Sequence, residues 1–301
     1  MAYRLSKATC VVAALALIVP GAASAHRPWL KPAAAITDGK WISIDGATSE
    51  HLFDFDSFPL KLDGLTITAP DGKAVTPDSV SVAHMRTGFD VPLDTPGTYR
   101  IALVTDTVMA RYNDANGQTQ RFRGTAAEFA KAVPANAPGL AVSHMVSRVE
   151  TFVDAGKSSA IVPTGQGLEL IPESDPGQLT VDDAAKFKFL LDGKPAANLA
   201  VSIIPGGVRY REALKDQLLT TDVNGEIVVH WPVAETYLIA ASFPPRSKAA
   251  DDDDGPKGDA PKGDASKGGG PKADGKVGMG GEREMVPLRV SYAGTFEVLP
   301  N

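Results

Sequence analysis

TYRIALVT, residues 98–105, sets Tyr99, Ile101 and Leu103 on one side of an extended chain and Thr98, Arg100 and Ala102 on the other. A period of two is the pattern of a strand with one face in a core. Working outward, the same alternation recurs in Trp41–Asp45 (WISID) and Leu65–Thr68 (LTIT), and Pro70-Asp71-Gly72 then turns the chain. Asp114-Ala115-Asn116-Gly117 lies between two polar strands and predicts a hairpin. Residues 125–133 (TAAEFAKAV) form the best short helix, with Thr125 as its N-cap. Residues 142–153 (VSHMVSRVETFV) predict a strand leaving this first unit, and Gly156, Pro163, Gly165 and Gly167 mark a connection.

A second unit opens near Leu168. Residues 187–192 (FKFLLD) run into a turn at Asp192-Gly193, and 199–204 (LAVSII) read as a buried strand. Asn224-Gly225, between LLTTDV and EIVVHW, is the strongest hairpin signal in the chain. Residues 288–298 (LRVSYAGTFEV) predict a closing strand that pairs back into the sheet. The two units echo each other: Val91-Pro92-Leu93, Tyr99 and Ile101 in the first match Trp231-Pro232-Val233, Tyr237 and Ile239 in the second. A duplicated β-sandwich module would leave such an echo.

Composition agrees. The chain has 301 residues, 43% of them apolar, with 29 glycines, 23 prolines and one cysteine. This excludes a coiled coil, a disulfide scaffold and a wholly disordered chain, and favours a turn-rich all-β protein. The formal charge of −6 argues against nucleic acid as a partner.

Residues 1–25 read as a signal peptide. Arg4 and Lys7 precede an apolar run from Val11 to Pro20, and Ala23-Ser24-Ala25 is an A-x-A cleavage site. Cleavage would remove Cys10, leave no membrane-inserting segment, and deliver a periplasmic protein starting at His26. The expected division is a first β-sandwich domain over 26–165 and a second over 166–301. Within the second, residues 247–281 carry Asp251–Asp254 and a five-residue lysine-glycine repeat. With no large apolar side chain between Phe243 and Val277, they are expected to form a disordered insert.

His26 and His51 are the candidate metal ligands. A free N-terminal His26 would offer an α-amino group and an imidazole to one ion, a pair suited to Cu(II) or Ni(II). His51 lies in Glu50–Asp56 (EHLFDFD), where it could converge with Asp54 and Asp56 on a cation. The alternative for that segment is a loop with Phe53 and Phe55 packed and the acids in water. His84-Met85 and His144-Met145 would point to opposite faces if they lie on strands, and His230 reads as an outward strand residue. Enzyme signatures are missing. There is no G-x-S-x-G, and the G-x-x-x-x-G-K of Gly270–Lys276 is followed by Val277 rather than Ser or Thr.

The stretches AHRPWLKP (25–32), GATSEHLFDFDSFPLKLDGLTITAPDG (46–72), SRVETFV (147–153), LDGKPAANLAVSIIPGGVRYR (191–211) and TTDVNGEIVVHWP (220–232) carry a resemblance. Together they resemble a bacterial periplasmic family of unassigned molecular function. Its members are often labelled the periplasmic component of an ABC-type cobalt or nickel transport system. The resemblance implies two tandem immunoglobulin-like or carboxypeptidase-regulatory-like β domains. It also implies a mature chain opening on His with a nearby Trp, here His26 and Trp29. Small periplasmic copper carriers use a similar N-terminal histidine on a β-sandwich. The chain departs from the family in its long insert and in Glu235, where Gly is usual, and neither departure is expected to touch the site.

The resulting expectation is a non-enzymatic periplasmic protein that binds a transition-metal ion (Ni, Co or Cu) or its chelate. Its partner would be a membrane transporter or outer-membrane receptor. The alternatives are an envelope adaptor with no ligand of its own, and a copper oxidase using a histidine brace at His26.

Overall fold

The computed structural model describes residues 26–211, 213–244 and 288–301. The signal peptide and the insert expected from sequence lie outside the described residues. In chain order the first strands are β1 (Arg27–Pro32), β2 (Ile36–Thr37), β3 (Trp41–Ser49), β4 (Phe58–Pro59), β5 (Leu65–Thr68) and β6 (Asp78–Val82). Then come β7 (Thr87–Pro92), β8 (Gly97–Asn113), β9 (Thr119–Gly124), helix α1 (Ala126–Ala132) and β10 (Ala141–Ala155). The second unit has β11 (Leu168–Pro172), β12 (Ala184–Leu191), β13 (Lys194–Pro195), β14 (Ala200–Pro205) and β15 (Gln217–Thr220). It ends with β16 (Glu226–His230), β17 (Glu235–Phe243) and β18 (Leu288–Val298).

These strands build three layers of an all-β sandwich. One outer sheet runs β1-β3-β7-β6, with β4 on β3. The middle sheet runs β15-β14-β17-β18-β10-β8-β5, with β9 on β8 and β2 on β10. The other outer sheet is β11-β12-β13, with β16 on β12. Among the described residues no helix is long and apolar enough to cross a membrane.

The middle sheet belongs to both units, because β10 pairs antiparallel with β8 on one side and parallel with β18 on the other. Its period of two then separates two cores. Val149 and Val153 of β10 and Ala293 of β18 face the first core, with Trp29, Ile44, Phe89 and Tyr99. Phe152 of β10 and Tyr292 and Phe296 of β18 face the second, with Phe187, Phe189 and Trp231. The two sandwiches are thus not independent beads. The expected boundary at 165/166 falls between β10 and β11, and the sheet crosses it.

The sequence echo has a structural counterpart. The Thr95 N–H donates to the Tyr99 hydroxyl at 2.9 Å, and the Tyr237 hydroxyl donates to the Val233 carbonyl at 2.8 Å. Each tyrosine ties the start of its strand to the backbone four residues upstream, as the tyrosine corner of immunoglobulin-like sandwiches does.

Local signals landed well. Thr125 caps α1 in a full capping box with Glu128. The Asp114 carboxylate closes the β8–β9 hairpin by accepting from the Asn116 and Gln118 N–H groups. The hairpin expected at Asn224-Gly225 is corrected. The turn forms, with the Gly225 N–H on the Asp222 carbonyl, but β15 joins the middle sheet and β16 an outer one. Leu219 of β15 and Ile227 and Val229 of β16 meet in one core from opposite layers. Alternation specifies which face is buried, not which strand is the partner.

Candidate metal centre

Among the described residues, the loop between β3 and β4 holds the one cluster of three ligating side chains. His51, Asp54 and Asp56 each offer one atom within 4.8 Å of the others. The loop is anchored from below. Trp29, buried in the first core, donates its indole N–H to Ser49 Oγ at 2.8 Å. The rings of Phe53 and Phe55 pack on it, with centroids 5.6 and 5.4 Å away. Phe53 sits at φ +68°, a left-handed conformation that costs a bulky residue about 1–2 kcal/mol. The Trp29 contact holds it there.

Asp56 organises the loop. Its Oδ1 accepts from the Glu50 N–H (3.0 Å) and the Ser57 hydroxyl (2.9 Å). Its Oδ2 accepts from the His51 N–H (2.9 Å) and lies 2.8 Å from His51 Nδ1. Burial alone would raise the Asp56 pKa. The bonds from the His51 backbone and ring, Ser57 and Glu50 outweigh it and hold the carboxyl at about 2.

A carboxyl depressed in the folded state stabilises above its unfolded value and loses that contribution as pH falls. Asp56 should therefore contribute about 1–2 kcal/mol at neutral pH, lost as pH drops from 3.8 towards 2. Unfolding free energies of the parent and Asp56→Asn should differ at neutral pH and converge through that window. A constant difference across it would contradict the assignment.

With both Asp56 oxygens engaged, His51 Nδ1 faces a carboxylate and Nε2 stays available. This is the carboxylate–histidine arrangement that orients an imidazole for a metal. Asp54 is the second candidate ligand, and its Oδ2 is paired with Arg209 Nε at 3.1 Å. Arg209 belongs to the 3-10 turn Val208–Tyr210 that follows β14, so the second unit clamps the loop of the first. Gly206 packs there too: a Cβ at that position would lie 3.1 Å from Phe53 Cδ2 and 3.0 Å from Glu235 Oε1. Glu235 therefore lies one contact from the loop, closer to the site than the sequence suggested.

His26 is not part of this cluster. It is exposed, its ring lies 5.8 Å from that of Phe58, and it borders a groove of about 410 Å³ floored by Ser147, Ala240 and Ser291. It does lie at the same end of the outer sheet. Arg27 pairs with Ser49, so His26 is one residue before that pair and His51 two residues after it. The other histidines are elsewhere. His84 lies in an exposed bend, His144 Nε2 is 2.6 Å from Asp106 Oδ1, and His230 ends β16. The roles of Asp56 and Arg209 were missed by sequence reading. An Asp five residues after a His carries a hint, but an Arg 155 positions further on carries none.

Residues 23–244 match the family described as "Domain of unknown function (DUF4198)". The chain belongs to the DUF4198 family. No curated protein matches the sequence. Among solved structures, "Escherichia coli alpha-2-macroglobulin activated by porcine elastase" is similar at 15% identity with a TM-score of 0.20. That likeness covers 72% of this chain, which spans 18% of the other. The segments that carried the sequence resemblance meet in this DUF4198 chain: Phe53 and Asp54 come from one of them, Gly206 and Arg209 from another.

Proposed function

We propose that this DUF4198 protein binds a borderline divalent transition-metal ion (nickel, cobalt or copper) in the bacterial periplasm, as an accessory to an uptake system. His51 Nε2 and Asp54 are the protein ligands in the loop. After signal cleavage, the His26 amino group and imidazole add nitrogens from the adjoining strand end. One observation carries the reading: Asp56, itself held by three other donors, lies 2.8 Å from His51 Nδ1 and leaves Nε2 for a ligand. Imidazole and amine nitrogens with one carboxylate suit these metals better than calcium or magnesium, which prefer oxygen throughout.

The test is calorimetric titration of Ni(II), Co(II) and Cu(II) into protein beginning at His26. His51→Ala should remove tight binding. Asp56→Asn, which leaves the ligands and loosens their support, should weaken it about 10–100-fold. One extra residue before His26 should also weaken it. Unchanged affinity in both His51→Ala and Asp56→Asn would overturn the reading.

A further inference from the structure

A second surface, independent of the metal loop, lies on the arm built by the far ends of β8 and β10 with β9 and α1. Helix α1 covers one face of this arm, where Phe129 meets Phe122 of β9 at 5.7 Å. The other face carries Arg111, Arg121 and Arg123, all exposed. Arg111 and Arg121 are direct cross-strand partners, and Arg123 sits opposite Met109. Half-buried Arg289 of β18 extends the row beside Met145 of β10. None of the four pairs with a carboxylate among the described residues.

The arm's own acids are all engaged elsewhere. Asp106 is held by His144, Asp114 by the β8–β9 turn and Gln120, and Glu128 by Thr125. Like charges directly opposite each other on a sheet are destabilising, and this pair stands in a chain of net charge −6. Charged residues on an edge strand can simply block unwanted pairing. That accounts for Arg121 and Arg123 on β9, but not for Arg111 on the inner strand β8.

Two features narrow the partner. The guanidinium fork matches carboxylates in paired geometry. Strand β9 bonds β8 on one side, and among the described residues no strand pairs with its other edge. Its large apolar side chains, Met109 and Met145, are half-buried, so the face offers no exposed one to enter a membrane. We infer that the arm is a docking surface for an extended acidic segment of a partner protein, added to the β9 edge with its carboxylates over Arg111, Arg121 and Arg123. Main-chain bonds give such additions affinity, and alternate side chains give specificity.

The probe is a fluorescent peptide alternating glutamate and valine, titrated into the full chain at two salt concentrations. Arg121→Glu with Arg123→Glu should weaken binding about tenfold or more. The melting temperature should not fall, because Arg121→Glu turns a repulsive pair into an attractive one. Arg111→Gln should weaken binding less. The same peptide with proline in place of valine keeps its charge but lacks half its N–H donors, and should not bind. Equal peptide binding by parent and variant would overturn the inference, as would full binding of the proline peptide. Arginine-dependent binding to phosphatidylglycerol vesicles with none to the peptide would assign the face to a lipid surface instead.

Discussion

Glu150→Ala should destabilise this protein by about 3–5 kcal/mol. Glu150 is fully buried on β10, on the face turned to the second core. Arg100 of β8 donates to both its oxygens, at 2.9 and 3.3 Å, and Arg148 Nη1 lies 3.7 Å away. Glu169 of β11 completes the cluster. It accepts from Arg100 at 3.3 Å and from the N–H groups of Thr164 and Gly165, so the layers are tied together. Burial opposes the charge on Arg100, and the carboxylates of Glu150 and Glu169 more than restore it.

Two arginines and two glutamates balance. Removing Glu150 leaves two buried guanidinium groups facing one carboxylate, and uncompensated buried charge is what makes half a pair so costly. The check is a urea midpoint. A double change, Glu150→Gln with Arg148→Met, restores the balance and should recover much of the loss. A loss under about 1 kcal/mol for Glu150→Ala would mean that water reaches the cluster.

This cluster also marks where sequence reading stopped. Arg100, Arg148 and Glu150 look like the outward residues of half-exposed strands, because alternation identifies two faces and cannot say that both are covered. Residues 288–298 were legible as a strand to the residue, since eleven consecutive positions carry the pattern. Their parallel pairing with β10 was not, because register between distant segments leaves no local trace. Thr125 was legible as a cap because its partner Glu128 is three residues away. The turn at Gly225 was legible and its strand partners were not, for the same reason in reverse. At the candidate centre, His51, Asp54 and Asp56 lie within six residues, so their grouping could be read. What makes Nε2 the free nitrogen depends on hydrogen-bond direction, and what clamps Asp54 comes from the other unit.

Trp29→Ala tests whether core and loop are one object. The indole is 1% exposed, and removing so large a buried side chain should cost about 3–5 kcal/mol. Two losses add to the cavity. Ser49 Oγ, in a fully buried residue, loses its indole donor, and Phe53 loses the ring that holds its left-handed backbone. If the loop is positioned from below, the damage should not stay in the core. Residues 50–56 should exchange amide hydrogens faster under native conditions, and metal affinity should fall together with that protection. Trp29→Phe keeps a ring under Phe53 and Phe55 but not the bond to Ser49. It should recover most of the loop protection and only part of the stability. A Trp29→Ala protein that is destabilised but retains full loop protection would show that the Asp56 bonds with Arg209 and Gly206 position the loop without the indole. The organising contacts would then lie within the loop and with the second unit rather than with the strand that follows His26.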